Sequence, residues 1–234
     1  MRKIFWLVVL ISIGASASSI YATFNVQPKK EANLAFNIGG IVKKALVDIG
    51  DEVSTNELLA ELKNDDIKAN LNIAKVELKY AIKDYNRQLR VKNVIGQSVL
   101  DKFAFKKEMA QAKINQIKTT LDKTYLKAPF NGIISFKNIE RGDVVPGMSP
   151  KIVYKIISTH DRKLLVDFDE KYFNKVKVGD RFIYTLDGDN KKYEGVISKI
   201  YPTANPKTRK ITAEVPAKDL KIGLFGSGNI ITKD

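Results

Sequence analysis

The central third of the chain has hydrophobic residues at helical spacing. From Asp65 to about Thr120 there is no proline and a single glycine, Gly96, and apolar residues recur at alternating steps of four and three. This heptad spacing predicts two helices that pack along one narrow seam, with Lys107 as a polar intruder. The predicted seam positions are Ile67, Leu71, Ala74, Leu78, Ala81 and Tyr85 in the first helix, and Phe103, Lys107, Ala110, Ile114, Ile117 and Leu121 in the second.

A short break separates the two predicted helices. Arg90 and Lys92 suit the negative end of the first helix, and Gly96 suits its C-terminal cap. The sequence Ser98–Asp101 has the form of a capping box that opens the second helix. So short a connection predicts antiparallel helices. A first helix of about 30 residues predicts a hairpin about 45 Å long.

Two similar stretches lie on either side of this hairpin. They are GGIVKKALVDIGDEV at 39–53 and NGIISFKNIERGDVV at 131–145, each within short apolar runs that are typical of strands and tight turns. The repeat predicts one β-domain built from two halves, 34–63 and 124–157, with the hairpin at 64–121 inserted between them. The matching glycines, predicted as turn glycines, are Gly40, Gly50, Gly132 and Gly142.

Strand and turn composition resumes after the second half. Leu164, Val166 and Phe168 alternate with polar residues, and about five or six short strands in 158–234 favour a small antiparallel β-barrel. The predicted fold class is therefore mixed, multi-domain α+β. It comprises a split β-domain with an inserted antiparallel helical hairpin, followed by the barrel.

The N-terminal segment 1–24 has the pattern of an export sequence. Arg2 and Lys3 precede an apolar run, and no charged residue follows until Lys29. Residues 15–17, Ala-Ser-Ala, offer a cleavage site for a signal peptide. The uncharged run is also long enough for an uncleaved membrane anchor, which takes about 20 residues. Both alternatives predict export from the cytoplasm.

Composition excludes several kinds of site. The net charge is +14, but the lysines are interleaved with acids along the whole chain, which favours a solvated surface over a nucleic-acid partner. The absence of cysteine excludes disulfides, thiolate zinc sites and cysteine nucleophiles. His160 is the single histidine, and one imidazole makes neither a catalytic triad nor a metal site. We therefore predict no enzyme activity, no metal and no cofactor.

Three phrases in order resemble the periplasmic adaptor, or membrane fusion, proteins of tripartite efflux pumps. They are GGIVKKALVDIGDEVSTNELLAELKNDD, TYLKAPFNGIISFKNIERGDVV and GVISKIYPTANPKTRKITAEV. The first two resemble the halves of a lipoyl-like domain. The third is similar to the barrel signature of adaptors for proton-driven, RND-type transporters, with Asn205 and Lys210 where Asp and Thr are commoner.

The resemblance implies a mechanical function. The chain would link an inner-membrane transporter, with the RND type favoured, to an outer-membrane channel protein, and copies would self-associate into a ring. It would work in the periplasm, associated with the inner membrane. The family commonly adds a membrane-proximal domain built from both chain ends. Only Thr23 to Glu31 precede the first lipoyl-like half, so that domain is expected to be absent.

The resemblance also implies contact residues at the hairpin tip. Adaptors of this family carry Arg, Leu and Ser at spacings of four and seven, where they meet the outer-membrane channel. Arg87, Val91 and Ser98 occupy that spacing here, and Val91 replaces the Leu. From the residues alone, Ser98 is equally explained as a helix N-cap, Arg87 as a solvated residue and Val91 as part of the seam.

Two other functions remain open from the sequence. An adaptor of an ABC exporter or type I secretion system has a similar organisation, often with a longer hairpin. A lipoyl or biotinyl carrier domain of an enzyme complex is the alternative from another class, with Lys63 as the nearest candidate for the modified lysine. Lys63 falls at the root of the predicted hairpin instead of at an exposed turn, which disfavours a carrier.

Overall fold

The computed structural model describes residues 18–149 and 151–232, which form two compact units. One unit spans 31–159, and the other combines the described residues up to 30 with those from 160 onward. No helix in the described ranges is both long and apolar enough to cross a bilayer. In chain order the elements are β1 (Ser18–Pro28), β2 (Glu31–Leu34), β3 (Gly40–Ala45), β4 (Glu52–Val53), β5 (Leu58–Leu62), α1 (Asp65–Arg90), α2 (Gln97–Asp122), β6 (Tyr125–Lys127), β7 (Gly132–Lys137), β8 (Val144–Val145), β9 (Tyr154–Ser158), β10 (Asp161–Asp169), β11 (Arg181–Leu186), β12 (Tyr193–Val196), β13 (Lys199–Asn205), β14 (Lys210–Lys218) and β15 (Phe225–Thr232).

The unit at 31–159 contains the split lipoyl-like domain. Its strands form two four-stranded sheets, in the orders β2-β9-β7-β4 and β6-β5-β3-β8. Each sheet takes strands from both halves of the sequence, so neither half has a complete sheet of its own. Both halves also supply the shared core, whose largest fully buried side chains are Phe36, Leu59, Leu62, Ile134, Tyr154 and Ile156.

Reciprocal backbone hydrogen bonds join the two copies of the repeat. The Gly50 amide donates to the Ile134 carbonyl at 2.8 Å, and the Ile134 amide donates to the Asp51 carbonyl at 3.0 Å. The turn of the second copy makes the equivalent hydrogen bond to the first copy, since the Gly142 amide donates to the Val42 carbonyl at 3.0 Å. Each Gly-Asp turn is thus held by the Gly-Ile strand of the other half, which explains why the sequence repeats.

The two Gly-Asp turns have the same conformation. Gly50 and Gly142 lie at φ 95° and 98°, in the left-handed region that favours glycine. The carboxylates of Asp51 and Asp143 each accept the backbone amide three residues earlier, at 2.7 and 2.8 Å. Gly50 and Gly142 therefore both lie at positive φ in equivalent Gly-Asp turns.

The other two matching glycines of the repeat differ from the prediction. Gly40 and Gly132 begin strands β3 and β7 and do not lie in turns. Gly132 packs so closely that a Cβ there would overlap the carbonyl oxygen of Ile157 on β9. A Cβ on Gly40 would lie 3.3 Å from Cδ1 of Leu62. At these positions glycine permits close approach of neighbouring chain segments.

The second unit is a seven-stranded antiparallel sheet in the order β12-β11-β15-β1-β10-β14-β13. Gly195 of β12 packs against Val215 of β14, so the sheet curls toward a barrel. Its interior is apolar, with Phe24 and Tyr184 in edge contact at a ring-centroid distance of 5.0 Å. Buried core positions include Ile20, Phe24, Val26, Leu164, Val166, Phe168, Phe182, Val215 and Ile230.

The barrel corrects two predicted boundaries. Strand β1 lies at the centre of the sheet, between β10 and β15. The sequence pattern instead predicts 18–24 as part of the export segment and the barrel within 158–234. The physical reason is the alternation in β1, where Ile20, Ala22, Phe24 and Val26 are buried and the residues between them are not. The rest of the predicted export segment, 1–17, lies outside the described residues.

Candidate functional site

The helical hairpin is the feature that distinguishes the first unit. Helices α1 and α2 have 26 residues each, which corresponds to a length of about 39 Å, somewhat less than the sequence predicted. The heptad seam is confirmed, because all the predicted seam positions are buried or half-buried while most of the intervening residues are exposed. The most deeply buried seam residues are Leu71, Ala74 and Ile114.

Lys107, the polar seam residue, has a partner on the opposite helix. Its Nζ lies 4.4 Å from the centroid of the Tyr85 ring, which is itself a seam residue. A half-buried ammonium over an aromatic face is stabilised by the ring quadrupole. The lysine therefore fits the seam because its ammonium contacts the Tyr85 ring and does not face aliphatic side chains only.

The hairpin tip differs from the predicted capping. Helix α1 ends at Arg90 with Val91 as its C-cap, and Gly96 is the N-cap of α2 instead of the C-cap of α1. Gly96 has extended backbone angles, φ −66° and ψ 147°, so it enters α2 as an N-cap residue does. Ser98 lies inside the first turn of α2, and no side chain caps that helix. The capping-box prediction is therefore wrong, because α2 begins one residue before Ser98.

The three predicted contact residues all lie at this tip and are exposed. The Arg87 guanidinium pairs with Asp84 one turn earlier and keeps 72% side-chain exposure. Val91 is 45% exposed, so it does not fill the seam. Ser98 is exposed and is not needed as a cap. Arg87 and Val91 are four residues apart, which places them on one side of the end of α1.

The outer sides of both helices carry exposed apolar side chains. Ile73 and Tyr80 on α1 are each 58% exposed, and Phe105 on α2 is 63% exposed. Phe105 and Met109 line a shallow groove along the hairpin, whose lining also includes Glu77 of α1. Apolar residues at helical spacing on an exposed face are typical of a surface that packs against another protein. We call Ile73, Val76, Tyr80, Phe105 and Met109 the outer stripe.

A buried polar network closes the root of the hairpin. Asn64, fully buried before α1, donates from Nδ2 to Thr124 Oγ1 at 2.9 Å and to Glu61 Oε1 at 3.3 Å. Thr124 follows α2 and donates from Oγ1 to the Leu121 carbonyl at 2.6 Å. The Leu62 amide donates to the Thr124 carbonyl at 2.9 Å. These contacts join the strand that enters the hairpin to the segment that leaves it.

Ion pairs surround this buried network. Lys43 of β3 contacts Asp65 at 3.0 Å, and Lys68 contacts Glu61 at 3.5 Å. A hydrogen bond to the Tyr125 side chain, and after it the negative charge of Glu61, raises the pKa of Lys68 above its ordinary value. No repeating pattern in the sequence predicts this network. Its one visible trace was an asparagine between a strand and two acids in ELKNDD.

Replacing Asn64 with alanine should loosen the hairpin root. Asn64→Ala removes two donors from buried acceptors, which costs about 1–3 kcal/mol of unfolding free energy. Urea unfolding followed by circular dichroism measures this change. The matched control Asn70→Ala, at an exposed position of α1, should stay within about 0.5 kcal/mol. Equal effects at the two positions would contradict the structural role of the network.

Two residues singled out by the sequence lie outside the tip. Lys63 is exposed between β5 and α1, and its backbone amide donates to the Ile41 carbonyl at 2.8 Å, so it lies at the hairpin root. His160 is in the barrel unit, exposed, with Nδ1 2.9 Å from Asp219. No group of three or more His, Cys, Asp or Glu in the described ranges is arranged to hold a metal ion.

The family is decided by a match that covers both the split domain and its hairpin. Residues 30–156, more than half of the chain, match the family described as CzcB-like, barrel-sandwich hybrid domain. The chain belongs to this CzcB-like family. The matched range begins before β2 and ends within β9, so it coincides with the unit that holds the repeat and the hairpin.

Curated relatives of this CzcB-like chain are distant in sequence. An uncharacterized protein of Haemophilus influenzae is 26% identical over 81% of this chain and 50% of its own length. The macrolide export protein MacA of Escherichia coli O157:H7 is 22% identical over 83% of this chain and 61% of its own. The cobalt-zinc-cadmium resistance protein CzcB of Cupriavidus metallidurans is 22% identical over 88% and 43%. The chain thus spans about half the length of the curated relatives it matches.

Solved structures confirm the fold of this CzcB-like chain. A MacA–MexA chimeric protein with the Pseudomonas aeruginosa MexA α-hairpin has a TM-score of 0.86 at 18% identity, over 93% of this chain and 83% of its own. MacA from Actinobacillus actinomycetemcomitans has a TM-score of 0.78 at 18% identity, over 97% and 82%. The predicted combination of split lipoyl-like domain, hairpin and barrel is therefore confirmed.

Proposed function

We propose that this chain is a periplasmic adaptor subunit of a tripartite efflux system. In this function it links a transporter in the inner membrane to a channel protein in the outer membrane. The chain itself performs no chemistry and holds no cofactor. Membership of the CzcB-like family supports this proposal, together with relatives that are named for macrolide export and for metal resistance.

The hairpin is the observation that carries the proposal. Two helices of 26 residues share one narrow seam and are inserted where the two lipoyl-like halves meet. A two-helix hairpin of about 39 Å buries few side chains and encloses no site. Its length and exposed tip suit a contact with another protein at a distance from the β-domain that holds its root.

Truncating the tip residues should weaken efflux. Arg87→Ala, Val91→Ala and Ser98→Ala each remove an exposed group from the proposed contact with the outer-membrane channel. A loss of about 1 kcal/mol of docking free energy per residue predicts about a fivefold weaker contact for each change. The readout is resistance to a panel of toxic compounds and metal ions, measured in cells that produce the variant and no unaltered copy of the protein.

The tip experiment needs equal protein levels and a control on the shaft. Lys79→Ala removes an exposed side chain of α1 away from the tip and should leave resistance unchanged. Immunoblotting establishes that all variants accumulate equally. Unaltered resistance in all three tip variants would remove Arg87, Val91 and Ser98 from the contact surface.

We propose further that copies self-associate into a ring through the outer stripe. Ile73→Asp combined with Tyr80→Asp places two charges in that stripe and should weaken self-association at least about tenfold. Sedimentation velocity of the full chain in detergent measures the change. Asn72→Asp combined with Asn86→Asp adds the same charge at exposed positions of α1, and an equal loss there would contradict the assignment.

The proposed inner-membrane partner is an RND-type transporter. The barrel phrase at 195–215, which forms the end of β12, all of β13 and most of β14, is the sequence feature that favours it. An ABC exporter or type I secretion transporter is the alternative. Photo-crosslinking in cells from Thr203, exposed on β13 and outside the β13–β14 loop, distinguishes the two because the captured protein either carries an ATP-binding domain or does not.

The carrier alternative has its own direct test. A lipoyl or biotinyl carrier would bear an adduct on Lys63, and the intact mass of the purified protein would show it. We expect the mass of the unmodified chain. An adduct that disappears in Lys63→Arg would replace the adaptor proposal with a carrier function.

A further inference from the structure

Two loops meet at one end of the barrel. The loop at 170–180 follows β10, and the loop at 206–209 precedes β14, whose first residue Lys210 lies opposite Asp169 at the end of β10. The Glu170 amide donates to the Arg209 carbonyl at 3.0 Å, so the two loops are directly joined. We call these loops together with Lys210 the basic rim.

Exposed cations dominate the basic rim. Of the nearby acids, Asp169 pairs with Lys171 at 3.4 Å and buried Asp180 accepts the Lys177 amide at 2.8 Å, and half-buried Glu170 is the one further carboxylate of the two loops. The backbone hydrogen bond from Lys171, followed by that side chain's own contact, lowers the pKa of Asp169, which keeps it ionised. Within the described ranges Lys175, Lys177 and Lys207 form no ion pair. The cations of the rim are Lys171, Lys175, Lys177, Lys207, Arg209 and Lys210.

Apolar side chains protrude among these cations. Phe173 and Val178 belong to the 170–180 loop, and each is 62% exposed. Phe173 follows a single 3-10 turn at Glu170–Tyr172. Aromatic and aliphatic side chains between lysines are typical of surfaces that lie in the interface of a bilayer, where the apolar groups enter and the cations meet lipid phosphates.

The chain enters the barrel at this same end. Ala22 lies opposite Phe168 and Pro28 opposite Arg162, so Ser18, at the start of β1, is on the side of the basic rim. Ser18 lies within the uncharged run that extends from Ile4 to Pro28, and the apolar part of that run precedes it. The links to the 31–159 unit leave from the opposite ends of β1 and β10. Binding of the N-terminal run to a membrane would therefore bring the basic rim to the bilayer surface.

We propose that the basic rim docks on an anionic phospholipid surface. The lysines bind the headgroup phosphates, and Phe173 enters the boundary between headgroups and acyl chains. The contact orients the barrel with its rim toward the membrane. An acidic protein surface would satisfy the cations, but it would leave unexplained why two exposed apolar side chains lie among them beside the entry of the chain.

Vesicle binding of the full chain tests this proposal. The two compositions are pure phosphatidylcholine and a mixture with about 30% phosphatidylglycerol, and sedimentation of the vesicles gives the partition constant. The N-terminal run contributes to the partition constant on both kinds of vesicle. The ratio of the two partition constants, the preference for the anionic mixture, therefore reports the contribution of the cations. Each lysine near an anionic surface raises the partition constant about fivefold. We expect Lys175→Glu with Lys177→Glu to lower the preference at least about tenfold.

A matched variant on the same barrel provides the control. Lys191→Glu with Lys192→Glu reverses two charges in the β11–β12 loop, at the opposite end of these strands, and should change the preference less than about twofold. Phe173→Ser should weaken binding to the anionic vesicles about threefold or more. Thermal unfolding of each variant establishes that it is folded.

Several outcomes overturn the proposal. Equal losses in the two double variants would show that general charge, and not the basic rim, attracts the lipid. Absence of any preference for anionic vesicles in the unaltered chain would also contradict it. Unchanged vesicle binding of the Lys175 and Lys177 variant, combined with loss of a protein crosslink from Thr208 in cells, would assign the rim to an acidic protein partner.

Discussion

Gly132→Ala should unfold much of the lipoyl-like domain. The added Cβ would overlap the Ile157 carbonyl oxygen and lie 2.8 Å from Ile156 Cγ1, so strands β7 and β9 would have to separate. These strands are neighbours in one sheet, and Ile134 of β7 also holds the first Gly-Asp turn. We expect a loss of about 3 kcal/mol or more of unfolding free energy, because the obstacle is backbone and cannot change rotamer. Chemical unfolding followed by circular dichroism measures it.

The same substitution elsewhere in this unit provides the control. At Gly96, on the hairpin tip, the nearest atom to a new Cβ is Ser98 Oγ at 3.9 Å, and φ is −66°. Gly96→Ala should therefore be neutral or stabilise the chain by up to about 1 kcal/mol, because alanine reduces the entropy of the unfolded chain. Comparable losses at the two glycines would show that the close approach at Gly132 is not what stabilises the sheet.

Ala74→Glu should separate the two helices of the hairpin. Ala74 has no exposed surface and lies in the small cluster with Leu71 and Ile114. An unpaired buried carboxylate costs about 3–5 kcal/mol, and so few buried side chains cannot offset that loss. The lipoyl-like sheets have their own core, so we expect local opening. Amide hydrogen exchange by mass spectrometry should show fast exchange in 65–122 and slow exchange in the sheets.

An exposed position two residues away tests whether the charge or the burial matters. Asn72→Glu adds the same carboxylate to α1, but on the solvent side. The free energy of hairpin opening, obtained from its hydrogen exchange, should match that of the unaltered chain within about 0.5 kcal/mol. If both variants opened the hairpin alike, the seam would not be the source of its stability. If neither did, Ala74 would not be buried between the helices in solution.

Patterns that repeat along the chain predicted the fold well. The heptad steps placed each seam residue, since a helix can bury an apolar stripe only at that spacing. The repeat around Gly50 and Gly142 predicted two halves of one domain, and reciprocal hydrogen bonds between the halves explain it. Such patterns predict structure reliably because each depends only on the geometry of its own helix or strand.

Features that depend on distant partners were missed. Strand β1 resembles a continuation of the uncharged N-terminal run, and only its pairing with β10 and β15 distinguishes it. The network at Asn64 joins residues 60 positions apart, so no local spacing reveals it. At the tip, the turn at 91–96 makes Gly96 an N-cap, because α1 ends before the glycine is reached. Local propensity was correct about the break but not about which helix the glycine caps.

Site-specific photo-crosslinking from the tip in intact cells tests the central claim most directly. Val94 lies in the turn between the helices and is 87% exposed, so a photoreactive residue there should not disturb the fold. The adaptor account predicts one dominant adduct with an outer-membrane channel protein, and none with that protein from the shaft position Lys79. Capture of an inner-membrane protein alone from Val94, or the same adducts from both positions, would contradict it.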